Sequence, residues 1–364
     1  MKIDEIEIIP IAIDRDEVFR ISTGSALTAE NVLVKVTSGD HVGWCNSTPN
    51  GVTDETTESV LKALNIMKKE IEGKDIDIEE TWNKLSKEHK NDPAALAGLD
   101  MALYDLKGKI EGKRVFELFD GKEEGVLTDR TIGLMTVSEA REHAQEFMDQ
   151  GFKAIKIKVG LGLLEDIRRV SAVREEVGED IKIWVDANQA YKPEEAITFA
   201  EKMNSLGIEF IEQPVHVDDL EGLKKVTQES DVPIMADETI KDHRMAEKIC
   251  EEGIADMVNI KLMKCAGITG GRKIVDVIEE HDVDAMVGCM GETTPSIAGG
   301  THFYLSSSNI KYADLDSHFM LSDNIATGLD FKNGMLHVSK EPGLGIEIIK
   351  QKVDEYLMDL EKDI

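Results

Sequence analysis

"FKAIKIKVG", residues 152–160, is an apolar stretch with two lysines in its middle. Ala154, Ile155, Ile157 and Val159 predict a buried β-strand. Residues two apart on a strand share a face, so Lys156 and Lys158 stand side by side, opposite Ile155, Ile157 and Val159. Like charges brought together inside a fold require anions close by.

The segments that follow repeat one pattern. Short apolar strands alternate with amphipathic helices: "LTDRTIGL", "KAIKIKV", "IKIWVDA", "IEFIEQ", "VPIMAD", "DMVNIKL", "DAMVGC" and "IKYADLD" are eight strands with seven helices between them. Asp186, Glu212 and Asp237 close three successive strands at spacings of 26 and 25 residues. A steady βα period without a Rossmann glycine fingerprint predicts an α/β fold, a (β/α)7β TIM-like barrel over residues 123–328.

The chain before the barrel has a different texture. "KIDEIEIIPI", "ENVLVKVTS" and "HVGWCNS" read as an antiparallel meander, with "RDEVFRISTGSALTA" as a loop between the first two. A helix is expected from Thr56 to Glu72, with Val60, Leu61, Leu64, Ile66 and Met67 on its buried side. A second helix is expected over Ile78–Leu85, and a third begins at Pro93 with Asn91 or Asp92 as cap. The Ala and Gly content of this third helix predicts close packing on a neighbour. Residues 1–122 thus read as an N-terminal α+β capping domain. Residues 329–364, a hairpin and a last helix, read as a segment returning to complete it.

The 364 residues include 72 acidic and 42 basic ones, a net charge of −30 that argues against nucleic acid or an anionic membrane as partner. Cys45, Cys250, Cys265 and Cys289 lack CxxC spacing, against a disulfide framework or zinc site. "MKIDEIEIIP" is too charged for a secretory leader, and no apolar run approaches the ~20 residues of a membrane span. A cytoplasmic soluble protein is expected.

Barrel side chains alternate between the interior and the helix layer. Trp184 shares a face with Asp186, Phe210 with Glu212, Met235 with Asp237, and Asn259 with Lys261. With Lys156 and Lys158, charge falls at the C-terminal ends of five consecutive strands, the end where such barrels carry their active sites. Three carboxylates on adjacent strands, with room for water and substrate, suit Mg2+. The lysines flank this trio from the strand before it and the strand after it. A proton alpha to a carboxylate is very weakly acidic, and its removal makes an enediolate that a divalent cation and a lysine stabilise. Lys158 and Lys261 are then acid/base partners on opposite faces of one carbon, as 1,1-proton transfer requires. Lys156 is expected to lower the pKa of Lys158 and to help hold the substrate carboxylate.

These residues resemble the enolase superfamily, in particular its muconate-lactonizing-enzyme subgroup. The resemblance covers nearly the whole chain: "AGLDMALYDLKGKIEGKRVFELFDG", "KIKVG", "VDANQAY", "IEQP", "ADET", "NIKLMKCAGITGG" and "PGLGIEI" look like successive signatures of that subgroup. It implies a capping domain over a (β/α)7β barrel, one Mg2+ on Asp186, Glu212 and Asp237, and acid/base lysines at Lys158 and Lys261. "GCMGET" (288–293) and "DLD" (314–316) look like dipeptide epimerases, in which the D-x-D binds the substrate's α-ammonium. Two carboxylates on one face of a strand end suit a cation.

The resemblance implies a dipeptide substrate, with Thr131, Cys289, Met290, Glu292, Asp314 and Asp316 among the binding residues, and a homo-oligomer. Thr293 and Thr294 depart from the subgroup's usual pattern after "GCM-x-E". Arg20, in the first capping loop, reads either as a partner for a side-chain carboxylate, as in L-Ala-D/L-Glu epimerases, or as a surface arginine. Asp54 and Glu55 read either as partners for a basic side chain or as caps of the following helix. The alternative activities are o-succinylbenzoate synthase, N-acylamino acid racemase and cycloisomerase.

Overall fold

The computed structural model describes residues 1–22, 24–122 and 124–359. Glu123, where the expected domain boundary falls, and the far end of the expected last helix lie outside them.

The meander forms, and it is longer than its apolar pattern. β1 (Glu5–Ile21), β2 (Gly24–Ser38) and β3 (His41–Ser47) make an antiparallel sheet in that order. The segment expected as a loop is instead the far half of a long β1–β2 hairpin, in which the register slips between Asp14 and Phe19. The slip hides the period-2 alternation on which a strand reading depends.

Three helices cover the sheet: α1 (Thr57–Ile71), α2 (Ile78–Glu88) and α3 (Pro93–Glu111). Thr56 caps α1, whose buried face is Val60, Ala63, Leu64, Met67 and Ile71; Ile66, expected on that face, is 42% exposed. Asp92 makes no side-chain cap on α3. Glu55 does so from a distance: its carboxylate accepts the Ala94 and Ala95 N–H groups at 2.8 and 3.1 Å. The small residues of α3 have the expected cause. A Cβ on Gly98 would lie 2.2 Å from the Ser47 hydroxyl, and one on Gly43 would lie 2.2 Å from the Ala102 carbonyl.

β4 (Val126–Leu127) precedes the barrel and splits off the start of the strand expected at "LTDRTIGL". The barrel runs β5 (Arg130–Ile132), α4 (Val137–Asp149), β6 (Ala154–Lys158), α5 (Leu163–Val177), β7 (Lys182–Asp186), α6 (Pro193–Ser205), β8 (Ile211–Glu212), α7 (Leu220–Glu229), β9 (Ile234–Ala236), α8 (His243–Glu252), β10 (Met257–Lys261), α9 (Ile268–Glu280), β11 (Asp284–Gly288), α10 (Thr294–Tyr304) and β12 (Ile310–Asp314). Its eight strands pair in chain order, all parallel. A parallel bridge between Thr128 and Ala313 closes the ring.

The interior alternates as expected. Ala154, Trp184, Phe210, Met235, Met257 and Met286 form one buried plug, with Trp184 stacked on Phe210 at 5.3 Å between ring centres. Two residues beyond Ala154, Trp184, Phe210 and Met235 stand Lys156, Asp186, Glu212 and Asp237.

The chain ends on β13 (Ala326–Thr327), β14 (Leu329–Lys332), β15 (Met335–Val338), β16 (Glu347–Ile348) and α11 (Lys350–Glu355). The β14–β15 hairpin pairs with β4 rather than with the meander. The last segment does reach the cap: Val353 packs with Ile11, Ile13, Ala29 and Leu33, and Leu357 bridges to Ile11. No described helix is long and apolar enough to cross a membrane.

Candidate active site

β6 through β10 bring the charges together: Lys158, Asp186, Glu212 and Lys261 end β6, β7, β8 and β10, and Asp237 directly follows β9. Lys156, Asp186, Glu212 and Asp237 are at most 1% exposed, and Lys158 and Lys261 are 7% exposed. One carboxylate oxygen from each of Asp186, Glu212 and Asp237 lies within 4.8 Å of the others.

The lysines divide between the acids. Lys158 Nζ donates to Asp186 at 2.6 Å. Lys261 Nζ donates to Asp237 at 2.8 Å and lies 3.9 Å from Glu212. Lys156 sits between Asp186, Glu212 and Asp314, at 3.0, 2.7 and 2.7 Å. The two ammonium groups of β6 share Asp186, and Lys156 has Glu212 and Asp314 besides.

Electrostatics follows from this geometry. Burial opposes ionisation of Asp186, but Lys156, Lys158 and Lys261 outweigh it and hold the carboxyl well below the usual range. Burial acts the same way on Asp237, and Lys261, Lys264 and Lys156 again prevail. Burial and the neighbouring Asp186 push Glu212 up to about 8, against Lys156. Burial works against the Lys156 and Lys261 charges, but the surrounding carboxylates hold both ammonium groups above the ordinary lysine value.

The donor set fits Mg2+. It is all carboxylate oxygen, as a hard cation requires, with one oxygen from each acid converging on one spot. Supporting side chains hold the ligands. Asn259 donates to Glu212 at 2.8 Å, the Asn188 backbone N–H to Asp186 at 2.9 Å, and the Asp237 N–H to Gln213 at 2.9 Å.

The far side of the site is built by β5, β11 and β12. Asp316 accepts the Thr131 N–H at 2.7 Å and lies 3.8 Å from Arg130. Cys289 Sγ faces Asp316 at 3.9 Å. Asp314 reaches Lys156, so the two carboxylates of "DLD" do not pair with each other. Glu292 turns back on its own loop and accepts the Met290 and Gly291 N–H groups. Met290 lines a cavity of about 630 Å³ whose wall continues through Gln189 and Glu238, just past the ends of β7 and β9.

The sequence leaves each capping-loop residue two readings, and the structure places them. Arg20 is exposed and borders an outer groove with Glu139 and Glu165, which shares Ile21, Gly24 and Ser25 with the cavity wall, so its position is that of a surface arginine beside the cavity. Glu55 caps α3 and is not available to a basic ligand, whereas Asp54 lines the cavity.

Sequence reasoning missed several residues. Lys264 is buried with its ammonium on Asp237 and on the Asn259 carbonyl; its spacing of three from Lys261, across the turn after β10, was the signal. Glu238 accepts from Asn188 at 3.1 Å. Asp129, buried below the site, accepts the Trp184 indole N–H at 2.7 Å, and nothing in "LTDRTIGL" distinguishes it from a turn residue.

The sequence profile of the mandelate racemase / muconate lactonizing enzyme N-terminal domain matches residues 5–119, and the enolase C-terminal domain-like profile matches residues 139–352. The chain is 36% identical to the L-Ala-D/L-Glu epimerase of Bacillus subtilis, over 95% of this chain and 97% of that one. It is 37% identical to the hydrophobic dipeptide epimerase of Enterococcus faecalis, over 95% and 99%. A solved dipeptide epimerase from Enterococcus faecalis, in complex with Mg and L-Leu-L-Tyr, superposes with a TM-score of 0.92 at 36% identity, covering 95% of this chain and all of that one. The N-succinyl-L-Arg/Lys racemase of Bacillus cereus is 31% identical over 98% of each chain. With both domains matched in order, the chain belongs to the mandelate racemase / muconate lactonizing enzyme family of the enolase superfamily.

Proposed function

We propose that the protein is a Mg2+-dependent dipeptide epimerase that inverts the Cα of the C-terminal residue of a small dipeptide. The observation that carries this reading is the pair Lys158 and Lys261, held by different members of one carboxylate trio, beside Asp314 and Asp316.

The substrate carboxylate enters over the trio, where Lys156 adds a fixed positive charge. One lysine, as the neutral amine, takes the Cα proton, and the C–H electron pair moves into the carboxylate to give an enediolate. The other lysine, as the ammonium, delivers a proton to the opposite face. Mg2+ on Asp186, Glu212 and Asp237 supplies positive charge where the enediolate oxygens become negative. Asp314 and Asp316 serve the α-ammonium of the first residue, with Thr131, Cys289, Met290 and Glu292 shaping the wall around it.

The rival reading is a racemase of N-acylated amino acids, favoured by the similarity to the Bacillus cereus racemase. Such a substrate carries no ammonium and offers Asp314 and Asp316 no cation beyond Lys156 and Arg130. The dipeptide relatives at 36% and 37% identity act on different side chains, so identity alone does not choose them. A cytoplasmic homo-oligomer belongs to the same proposal. Four free cysteines support a reducing compartment.

Incubation with Mg2+ in D2O and pooled L,L-dipeptides tests the proposal. Gain of one deuteron with new diastereomers is expected. No gain in any dipeptide, with gain in N-acyl amino acids, would overturn it in favour of the rival.

A further inference from the structure

A buried cation beside the site takes no part in the mechanism above. Where β1 loses register with β2, residues 15–18 bulge out of the ladder, and a bulge re-aims a side chain. Arg15 bridges instead to Leu321, just past the short helix that follows β12, and the Ser322 N–H donates to the Asp14 carbonyl at 2.9 Å. These bonds carry Arg15 over the β11–β12 side of the barrel mouth.

Arg15 is 9% exposed. Its guanidinium lies 5.8 Å from the Phe19 ring centre, and Nη1 faces only the Met320 sulfur, at 4.0 Å. Nη2 rests over Gly291, where a Cβ would meet it at 2.9 Å. Nε has no hydrogen-bond partner, and among the described residues no carboxylate lies within 4.0 Å of the group. The acids that face it are Asp316 and Glu292, and both are engaged elsewhere, by the Thr131 N–H and by the Met290 and Gly291 N–H groups. A guanidinium buried without an anion is costly, and it lines the 630 Å³ cavity with Met290.

The neighbours also say which part of a substrate reaches it. Asp316, Glu292 and Gly291 belong to the side assigned to the amino half, and none of the acid/base lysines or metal-binding carboxylates touches Arg15.

We propose that Arg15 binds a carboxylate on the amino half of the substrate. The preferred substrate is then either a dipeptide with an acidic first residue or an amino acid N-acylated by a dicarboxylic acid. This rests on the reading of β11 and β12 as the subsite for that half.

The test is Cα–H exchange in D2O with Mg2+, over a mixed set of C-terminal residues X. L-Glu-L-X is compared with L-Gln-L-X, and N-succinyl-L-X with its neutral succinamoyl amide. The wild-type protein is expected to favour the acid in at least one pair by about tenfold or more in kcat/KM. Arg15→Met should collapse that ratio while the neutral compounds still react, and Arg15→Lys should restore part of it. A purely structural role would change all four compounds together. Equal rates for acid and amide in both pairs with wild-type protein, which needs no variant to fold, overturn the proposal. Preference in the succinyl pair alone, with no dipeptide reacting, sinks the dipeptide reading and keeps Arg15. No exchange with any compound sinks both.

Discussion

Lys158 and Lys261 are separated by the acids they hold: Lys158 donates to Asp186, Lys261 donates to Asp237, and Glu212 stands between those two carboxylates on the intervening strand. Under the proposed function, these two ammonium groups on either side of the trio serve the two faces of one carbon.

Replacing either lysine by alanine should therefore abolish inversion, by about 10²–10⁴-fold for a lost general acid or base. Epimer formation followed by NMR checks this, with thermal melting to confirm folding. Wild-type rates in both variants would end the two-base mechanism.

Metal binding should be visible without turnover. At Mg2+ near 100 times its Kd, the folded state gains about 2.7 kcal/mol. The melting temperature of the chelator-treated protein should rise with added Mg2+, and Asp186→Asn should flatten that response.

Asp316→Asn keeps the shape and removes a charge. Against dipeptides it should lower kcat/KM by about 10- to 100-fold, the worth of a hydrogen bond to a charged group. Against N-acyl amino acids, which lack the ammonium, it should change little. The ratio of the two losses is the measurement.

His302 makes stability depend on pH. Burial pushes its imidazole down to about 4. The Phe116 N–H donates to Nδ1 at 3.3 Å, and Nε2 faces the Leu344 carbonyl at 3.2 Å, which fits one neutral tautomer. An unfolded histidine binds its proton near pH 6.5, so between about 6.5 and 4 the unfolded chain carries a proton that the folded one refuses. Stability is fully present above that window and falls as pH drops through it, by a few kcal/mol at most. Urea melts at pH 7 and pH 4.5 read the loss, and His302→Gln should reduce it.

Glu55→Ala leaves two N–H groups at the start of α3 without an acceptor, and should lower stability by about 1–2 kcal/mol. Equal melting temperatures for the variant and the wild type would show the cap to be idle.

The barrel and its charged face were legible because period 2 is rigid: once Trp184 points inward, Asp186 must too. The ends of the strands were equally readable, since a charged side chain stops an apolar run. The capping elements were not. The β1–β2 hairpin carries its charges through a register slip, so Arg15 rather than Arg20 turns inward. Glu55 caps a helix 39 residues away, a pairing that no local pattern announces.

The two ends of the chain meet in the cap. Ala12 N–H donates to the Tyr356 carbonyl, and Met358 N–H donates to the Pro10 carbonyl. The roof over the mouth of the barrel is thus closed by two segments from opposite sides of the barrel sequence, around residues 10–12 and 356–358. Contacts between segments so distant in sequence cost loop entropy before they reward it, so the mouth is a slow part of the fold to assemble.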